Sequence, residues 1–89
     1  MLKIEYTNHF EKDLKKIAKQ GKDIDLLQLI TKTIADEKPL NQRHKEHILK
    51  GEYEGCTECH IKPDWLLIYY FDKETVVLLR TGSHSELFK

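Results

Sequence analysis

Residues 63–81 read PDWLLIYYFDKETVVLLRT, and they contain the longest apolar run of the chain. The run from Trp65 to Phe71 is almost continuously aliphatic and aromatic, which is typical of a central β-strand. Polar residues from Asp72 to Glu74 interrupt it before the apolar pattern resumes in TVVLLRT. We therefore predict two long antiparallel strands joined by a tight turn.

The residues upstream of this pair predict one more strand and a loop. EGCTECHI, residues 54–61, has the composition of a strand. Residues 39–53 show no periodicity, and we predict that they form a long ordered loop, a kind of segment in which binding residues are often placed.

The N-terminal part predicts one strand and two helices. LKIEY, residues 2–6, alternates apolar and charged residues, which predicts a short strand with one buried face. The next segment has apolar residues at helical spacing between an N-cap at Asn8 and a stop at Gly21; these residues are Phe10, Leu14, Ile17 and Ala18. A second helix is predicted from about Asp23 to Lys38, because the proline that follows disfavours helical geometry in the residue before it; its inward residues are Leu27, Ile30 and Ile34.

The predicted element order is β-α-α-β-β-β. It indicates an α+β fold in which two N-terminal antiparallel helices pack on a mainly antiparallel sheet. A chain of 89 residues has room for one domain, which we assign to residues 1–89. The composition, 39% hydrophobic and 34% charged, is that of a folded protein and not of a disordered tail.

The charge balance excludes a protein that is basic as a whole. Lys plus Arg and Asp plus Glu each number 15, so any nucleic-acid contact depends on local clusters. One such cluster is the lysine stripe of the first helix, which is either a solvated helix face or a contact surface for a partner; it includes Lys12, Lys16 and Lys19. The N-terminus lacks the apolar core of an export signal, and no apolar run reaches the roughly 20 residues of a membrane span. We therefore expect a cytoplasmic location and no membrane partner.

The segment CTECH, residues 56–60, has the Cys-x-x-Cys-His spacing of c-type haem attachment, and it also suits half of a zinc site or a redox dithiol. In a strand, however, side chains three positions apart point to opposite faces. Cys56 and Cys59 then cannot jointly hold one haem or one zinc ion, and we interpret them as packing residues with free thiols. A metal site that combines Cys59 with His47 or His84 is the alternative.

The alternation that separates the cysteines places Glu58 and His60 on one face. Further polar residues are predicted near the same edge of the sheet; they are His47, Asp64, Arg80 and His84. Imidazoles exchange protons near neutral pH, and a guanidinium binds phosphate. This set suits RNA cleavage by internal transesterification, which needs a base, an acid and a cation but no metal or cofactor. The alternatives are that Asp64 only caps a turn and that Arg80 pairs with Glu58.

Three spaced blocks resemble the YafQ branch of the RelE/ParE superfamily of bacterial type II toxins. They are KEHILKGEYEG, ECHIKPDWLLIY and LLRTGSHSELF. They match an H-x-L-x-G loop, an acidic-x-His-x-x-P-D hairpin and a terminal G-[ST]-H-x-x-L-F. The resemblance covers essentially the whole chain. It implies a RelE-like small domain with a curved sheet, two helices on one side and an active cleft on the other.

The members of that family are ribosome-dependent mRNA endonucleases that a partner antitoxin holds inactive. The resemblance implies that the catalytic residues are His47, Glu58, His60, Asp64, His84 and Phe88. In this interpretation Glu58 or His60 is the base, His84 is the acid, and Phe88 stacks on a nucleobase. Arg80 and Lys50 are expected to bind phosphate. The implied antitoxin, of the ribbon-helix-helix type, would connect the protein to operator DNA, and the lysine stripe would contact this antitoxin or the ribosome.

The chain departs from the family pattern at Cys56 and Thr57, where relatives commonly have an aromatic residue and an arginine. A cation that the family places near the cleft is therefore absent. The alternative function is a non-catalytic toxin-fold module that binds an antitoxin and, through it, operator DNA. A gyrase poison of the ParE type fits less well, because that branch lacks the histidine set found here.

Overall fold

The structure is a computed structural model and describes residues 1–88. Its strands are β1 (Lys3–Tyr6), β2 (His47–Ile48), β3 (Thr57–Lys62), β4 (Trp65–Asp72) and β5 (Thr75–Gly82). Its α-helices are α1 (Asn8–Lys19), α2 (Ile24–Ala35) and α3 (His84–Leu87). Short 3₁₀ turns cover Gln42–His44 and Gly51–Tyr53.

The five strands form one sheet in the order β1-β5-β4-β3-β2. β3, β4 and β5 are consecutive antiparallel neighbours, and β2 adds an antiparallel edge of two residues, whereas β1 pairs with β5 in parallel. Register shifts interrupt the β3–β4 pairing and the β4–β5 pairing. Such bulges bend strands and increase their twist. The predicted α+β fold with a mainly antiparallel sheet is confirmed.

The two long helices pack on one face of the sheet and form the main core. This core combines residues of α1 and α2 with alternate residues of the sheet; among them are Phe10, Ile17, Leu27, Ile30, Ile34, Cys59, Leu67, Tyr69 and Leu78. The opposite face carries a smaller cluster around Leu66, Ile68 and Leu87, against which the segment before β3 also packs. The second face is therefore covered only in part, and its open portion carries the polar residues described below.

The structure corrects several details of the first helix and strand. Thr7 caps α1, because its side-chain oxygen accepts the Phe10 N–H at 3.0 Å, so Asn8 is the first helical residue and not the cap. Ala18 is exposed, and Asp13 takes the buried position instead. Tyr6 is also exposed, although its ring stacks on that of Phe10.

Three further boundaries differ from the sequence-based expectation. α2 ends at Ala35 and not near Lys38, because the backbone turns to a positive φ of 56° at Glu37. The predicted loop 39–53 contains the two 3₁₀ turns and β2, which were not expected. β3 begins at Thr57 and not at residue 54. The one-turn helix α3 adds a final element, and no helix within residues 1–88 is long and apolar enough to cross a membrane.

Candidate active site

The open face of the sheet brings three predicted residues together. Glu58 and His60 alternate with Cys59 along β3, and Cys59 is buried in the main core under the helices. Glu58 and His60 therefore lie on the opposite face. His47 is the Cα partner of Glu58 in the β2–β3 pair, which places it on that same face. Alternation along β3 and the pairing of β2 with β3 thus form a group of His47, Glu58 and His60.

The two cysteines of CTECH lie on opposite sides of the sheet. Cys59 is fully buried in the main core, whereas Cys56 packs against the smaller cluster. Burial raises the pKa of the Cys59 thiol to about 12, with the charges of Glu46 and Glu58 adding to the effect. The interpretation of these cysteines as packing residues with free thiols is confirmed. Among residues 1–88 no group of His, Cys, Asp or Glu has the arrangement of a metal site.

One carboxylate oxygen faces both imidazoles of the group. Glu58 Oε1 lies 3.3 Å from His47 Nε2 and 3.7 Å from His60 Nε2. The Glu58 side chain is only 6% exposed, compared with 49% for His47 and 24% for His60. Its second oxygen, Oε2, is buried without a hydrogen-bond partner in the described part of the chain. The imidazoles are therefore the accessible members of the group, and the carboxylate lies behind them.

Backbone carbonyls fix the orientation of both rings. His47 Nδ1 lies 2.7 Å from the Lys45 carbonyl oxygen, and His60 Nδ1 lies 3.2 Å from that of Pro63. A carbonyl oxygen only accepts hydrogen bonds, so Nδ1 is the protonated nitrogen in each ring. Nε2 of each ring is the nitrogen that lies near the Glu58 carboxylate, at 3.3 Å for His47 and 3.7 Å for His60. This arrangement can accept a proton at Nε2 and hold it beside a negative charge.

A second polar group lies at the C-terminal end of β5. Ser83 caps α3, and the carboxylate of Glu86 accepts the Ser83 N–H at 2.8 Å, which completes a capping box. Asp64, in the β3–β4 turn, accepts the backbone N–H of His84 at 3.1 Å. Asp64 therefore binds the first residue of α3, and it connects the β3–β4 hairpin to the start of that helix.

The single turn of α3 places Phe88 beside His84. The centroids of the two rings are 4.9 Å apart, and the Phe88 ring also meets that of Tyr53 edge-on at 5.6 Å. Phe88 is half-buried, whereas Leu87 is 4% exposed and belongs to the smaller cluster. The two adjacent apolar residues thus occupy different environments.

The two polar groups lie at the same end of the sheet. Through the strand pairings, Leu66 is the partner of both His60 and Gly82, and His84 follows Gly82 by two residues. With neighbouring strands about 4.8 Å apart, His60 and Gly82 are separated by roughly 10 Å. His47 and His60 thus lie on one side of this end of the sheet, and the residue that follows β5 by two positions, His84, lies on the other side.

Arg80 is held by α1 and not by Glu58, so the alternative in which Arg80 pairs with Glu58 does not hold. Its Nε and Nη2 donate to the two oxygens of Asp13 at 2.7 and 3.1 Å, and its Nη1 donates to the Tyr53 hydroxyl at 3.2 Å. The hydrogen bond to Asp13 is the main cause that raises the pKa of Arg80. Asp13 also accepts the backbone N–H of Thr81 at 3.1 Å. Much of the positive charge of Arg80 is thus balanced within the protein.

The remaining predicted contact residues are on the surface. Lys50 is exposed just before the second 3₁₀ turn. Lys12 and Lys19 are exposed on α1. Lys16 is exposed too, but its Nζ lies 2.6 Å from Glu86 Oε2, so it connects α1 to α3.

Several residues that hold the site together were not predicted. Asp13 gave a detectable signal, because it interrupts the apolar stripe of α1 between Phe10 and Ile17, where a charge is expected only with a buried partner. The carbonyls of Lys45 and Pro63 could not be identified from the sequence. Every residue has a carbonyl, and only the folded backbone determines its direction.

A small α+β domain with this sheet and this paired histidine site has the architecture of a RelE-like toxin. Within that class the chain belongs to the family described as "Bacterial toxin of type II toxin-antitoxin system, YafQ", whose profile matches residues 2–89. It is 38% identical over 86 residues to the mRNA interferase toxin YafQ of Escherichia coli K12, with 96% of this chain and 94% of the relative covered.

Solved structures agree with this assignment. The structure of a metal-bound toxin from Helicobacter pylori is 48% identical and superimposes with a TM-score of 0.93 over 99% of this chain and 100% of that one. The structure of the E. coli DinJ-YafQ complex is 34% identical, with a TM-score of 0.89 and complete coverage of both chains.

Proposed function

We propose that this toxin is an endoribonuclease that cleaves mRNA on the ribosome. The observation that carries the proposal is the position of Glu58 behind two accessible imidazoles. His84 and Phe88 follow the strand that ends at the same end of the sheet. The name of the E. coli relative, an mRNA interferase toxin, supports the same activity.

In the proposed reaction the RNA supplies its own nucleophile. The 2′-hydroxyl oxygen attacks the adjacent phosphorus, and the bond from phosphorus to the 5′-oxygen of the next nucleotide breaks. His60 Nε2 takes the 2′-hydroxyl proton, and the nearby Glu58 carboxylate stabilises the imidazolium that forms. His84 gives a proton to the departing 5′-oxygen. The products are a 2′,3′-cyclic phosphate and a free 5′-hydroxyl.

The other site residues position the substrate in this proposal. His47 shares Glu58 with His60 and keeps the carboxylate in place. Asp64 fixes the backbone of His84, and Phe88 stacks on an unpaired base next to it. Lys50 and the Nη1 side of Arg80 contact phosphate, although Asp13 already balances most of the Arg80 charge.

The partner in this proposal is an antitoxin of the ribbon-helix-helix type. The structure of the DinJ-YafQ complex supports an antitoxin partner for a relative. We propose that the antitoxin keeps the toxin inactive and connects it to operator DNA, and that Lys12 and Lys19 contribute to this contact or to the ribosome contact.

A non-catalytic role is the second candidate, and two observations favour it. The chain has no net charge, and Asp13 balances its best-placed arginine. A protein with these properties could bind an antitoxin through the toxin fold and leave RNA intact.

The chemistry of the cut ends distinguishes the two candidates. Purified toxin is incubated with ribosomes and a defined message, and the upstream fragments are analysed for a 2′,3′-cyclic phosphate. The proposed reaction predicts that terminus, and it predicts equal cutting by toxin pretreated with EDTA once ribosomal magnesium is restored. The EDTA arm tests whether cutting needs a bound metal, because one similar structure is that of a metal-bound toxin. Uncut message supports the non-catalytic role, and cutting that EDTA pretreatment abolishes contradicts the metal-free mechanism.

A further inference from the structure

A cavity of about 390 Å³ adjoins the candidate active site, and His60 lines both. The other walls come from α2, from the first 3₁₀ turn and from the end of β3. Its volume lies within the range of about 300 to 1,000 Å³ that is typical of sites for small ligands. Apart from His60, none of its lining residues was assigned a catalytic or phosphate-binding role above.

The cavity is cationic in a chain without net charge. Arg43, Lys45 and Lys62 line it, and no aspartate or glutamate does. Among the ion pairs of residues 1–88 none involves these three side chains. Because Asp13 balances Arg80, the cavity carries positive charge next to the site that is not paired within residues 1–88.

The segment that presents these cations is fixed to the strand that carries His60. His44 is buried, and its Nδ1 donates to the His60 carbonyl oxygen at 2.7 Å. The Arg43 N–H is bound by the Asn41 side chain at 3.0 Å. Lys45 lines the cavity, and its carbonyl orients His47. The cavity wall and the candidate active site are therefore one structural unit.

We propose that this cavity binds a backbone phosphate of the substrate RNA, next to the phosphate that is cleaved. The inference rests on the proposed function. Arg43, Lys45 and Lys62 line one cavity, and a guanidinium and ammonium groups match the charge and the hydrogen-bond acceptors of a phosphodiester. With the scissile phosphate between His60 and His84, the strand that leaves on the His60 side passes the cavity. The bound phosphate would hold the strand in register with the catalytic groups.

The test compares two triple variants that remove the same charge. Arg43→Gln, Lys45→Gln and Lys62→Gln remove the cations of the cavity. The matched control, Lys3→Gln, Lys38→Gln and Lys73→Gln, removes exposed cations near the opposite end of the sheet, where Lys3 pairs with Thr75 and Lys73 lies in the β4–β5 turn. The probe is a labelled single-stranded RNA oligonucleotide in which every 2′-hydroxyl is methylated, so that it cannot be cleaved. Its affinity is measured by fluorescence anisotropy over a series of salt concentrations.

We expect the cavity variant to bind the oligonucleotide about 10- to 100-fold more weakly at low salt than the parent. The dependence of log Kd on log salt should flatten by about 0.7 for each phosphate contact that is lost. The control variant should differ little from the parent, and all three proteins should melt at similar temperatures.

Equal affinities of the parent and the cavity variant, including no binding by either, would overturn the proposal. Equal losses in both triple variants would also overturn it, because the effect would then come from net charge alone. A loss of ribosome binding with unchanged oligonucleotide binding would assign the cavity to ribosomal RNA instead of the substrate. The binding assay uses an oligonucleotide that cannot be cleaved, so its result does not depend on catalysis. Failure of the proposed function would appear in the separate cleavage assay, as message that the parent protein leaves uncut.

Discussion

At the scale of single residues, the candidate site contains one buried carboxylate, that of Glu58. Glu58 has one oxygen near two imidazoles and the other buried without a hydrogen-bond partner among residues 1–88, an arrangement that costs desolvation. Such a cost is typical of residues that are retained for function and not for stability.

We predict that Glu58→Gln lowers RNA cleavage by about 10²- to 10⁴-fold and changes the melting temperature little, because the amide keeps the shape but cannot stabilise an imidazolium. The measurements are the cleavage rate on ribosomes and thermal unfolding. The matched control is Glu54→Gln, an exposed carboxylate that precedes the same strand. A Glu58→Gln variant as active as the control would remove Glu58 from the mechanism.

A second residue-scale prediction separates Phe88 from its neighbour. Leu87→Ala should lower the free energy of unfolding by about 2 to 5 kcal/mol, since Leu87 is buried in the smaller cluster. Phe88→Ala should lower cleavage about 5- to 150-fold, which corresponds to the loss of one stacked base. Its effect on stability should be smaller because Phe88 is only half-buried. Cleavage per folded molecule that is unchanged in Phe88→Ala would contradict the stacking role.

At the scale of elements, α1 acts as a brace for the C-terminal turn. It binds β5 through Asp13 and Arg80, and it binds α3 through Lys16 and Glu86. A helix of four residues is too short to be stable by itself. The position of His84 therefore depends on the capping box, on Asp64 and on this brace.

The brace should make stability depend on pH. The hydrogen bond from Lys16, and then that from the Ser83 backbone, lower the pKa of Glu86 from 4.5 to about 2. A carboxyl with a lowered folded-state pKa stabilises the fold above its unfolded pKa, and this contribution is lost as the pH falls through the folded value. Parent and Glu86→Gln should thus differ in unfolding free energy at pH 7 and converge between about pH 4.5 and 2. Urea denaturation over this range is the measurement, with Glu52→Gln as the control; a constant difference would refute the prediction.

The lysines of the α1 stripe differ in their contacts. Lys16 is bound to Glu86, so its replacement should disturb α3, whereas Lys12 and Lys19 are exposed without an ion pair among the described residues. Lys12→Glu with Lys19→Glu should therefore weaken binding to the antitoxin or the ribosome and leave the melting temperature unchanged. Unchanged affinity for both partners would identify these lysines as a solvated helix face.

At the scale of the whole molecule, the sequence predicted the parts that depend on local patterns. Apolar runs marked β4 and β5, and strand alternation placed Glu58 and His60 on the face opposite Cys59. Contacts between distant segments could not be predicted. β2 has only two residues and exists because β3 offers it an edge, and the parallel pairing of β1 with β5 has no local signature. The link from Asp13 to Arg80 spans 67 positions, and only the folded chain brings the two together.

The central claim is that the two sides of the site act together in one cleavage reaction, and His84→Ala tests it most directly. The measurement is the cleavage rate of a defined message on ribosomes by the purified, folded variant. His9→Ala, at an exposed histidine of α1, is the control. We predict a loss of about 10²- to 10⁴-fold for His84→Ala with the fold intact, as for the removal of a general acid. A folded His84→Ala protein that cleaves as fast as the control would contradict the account.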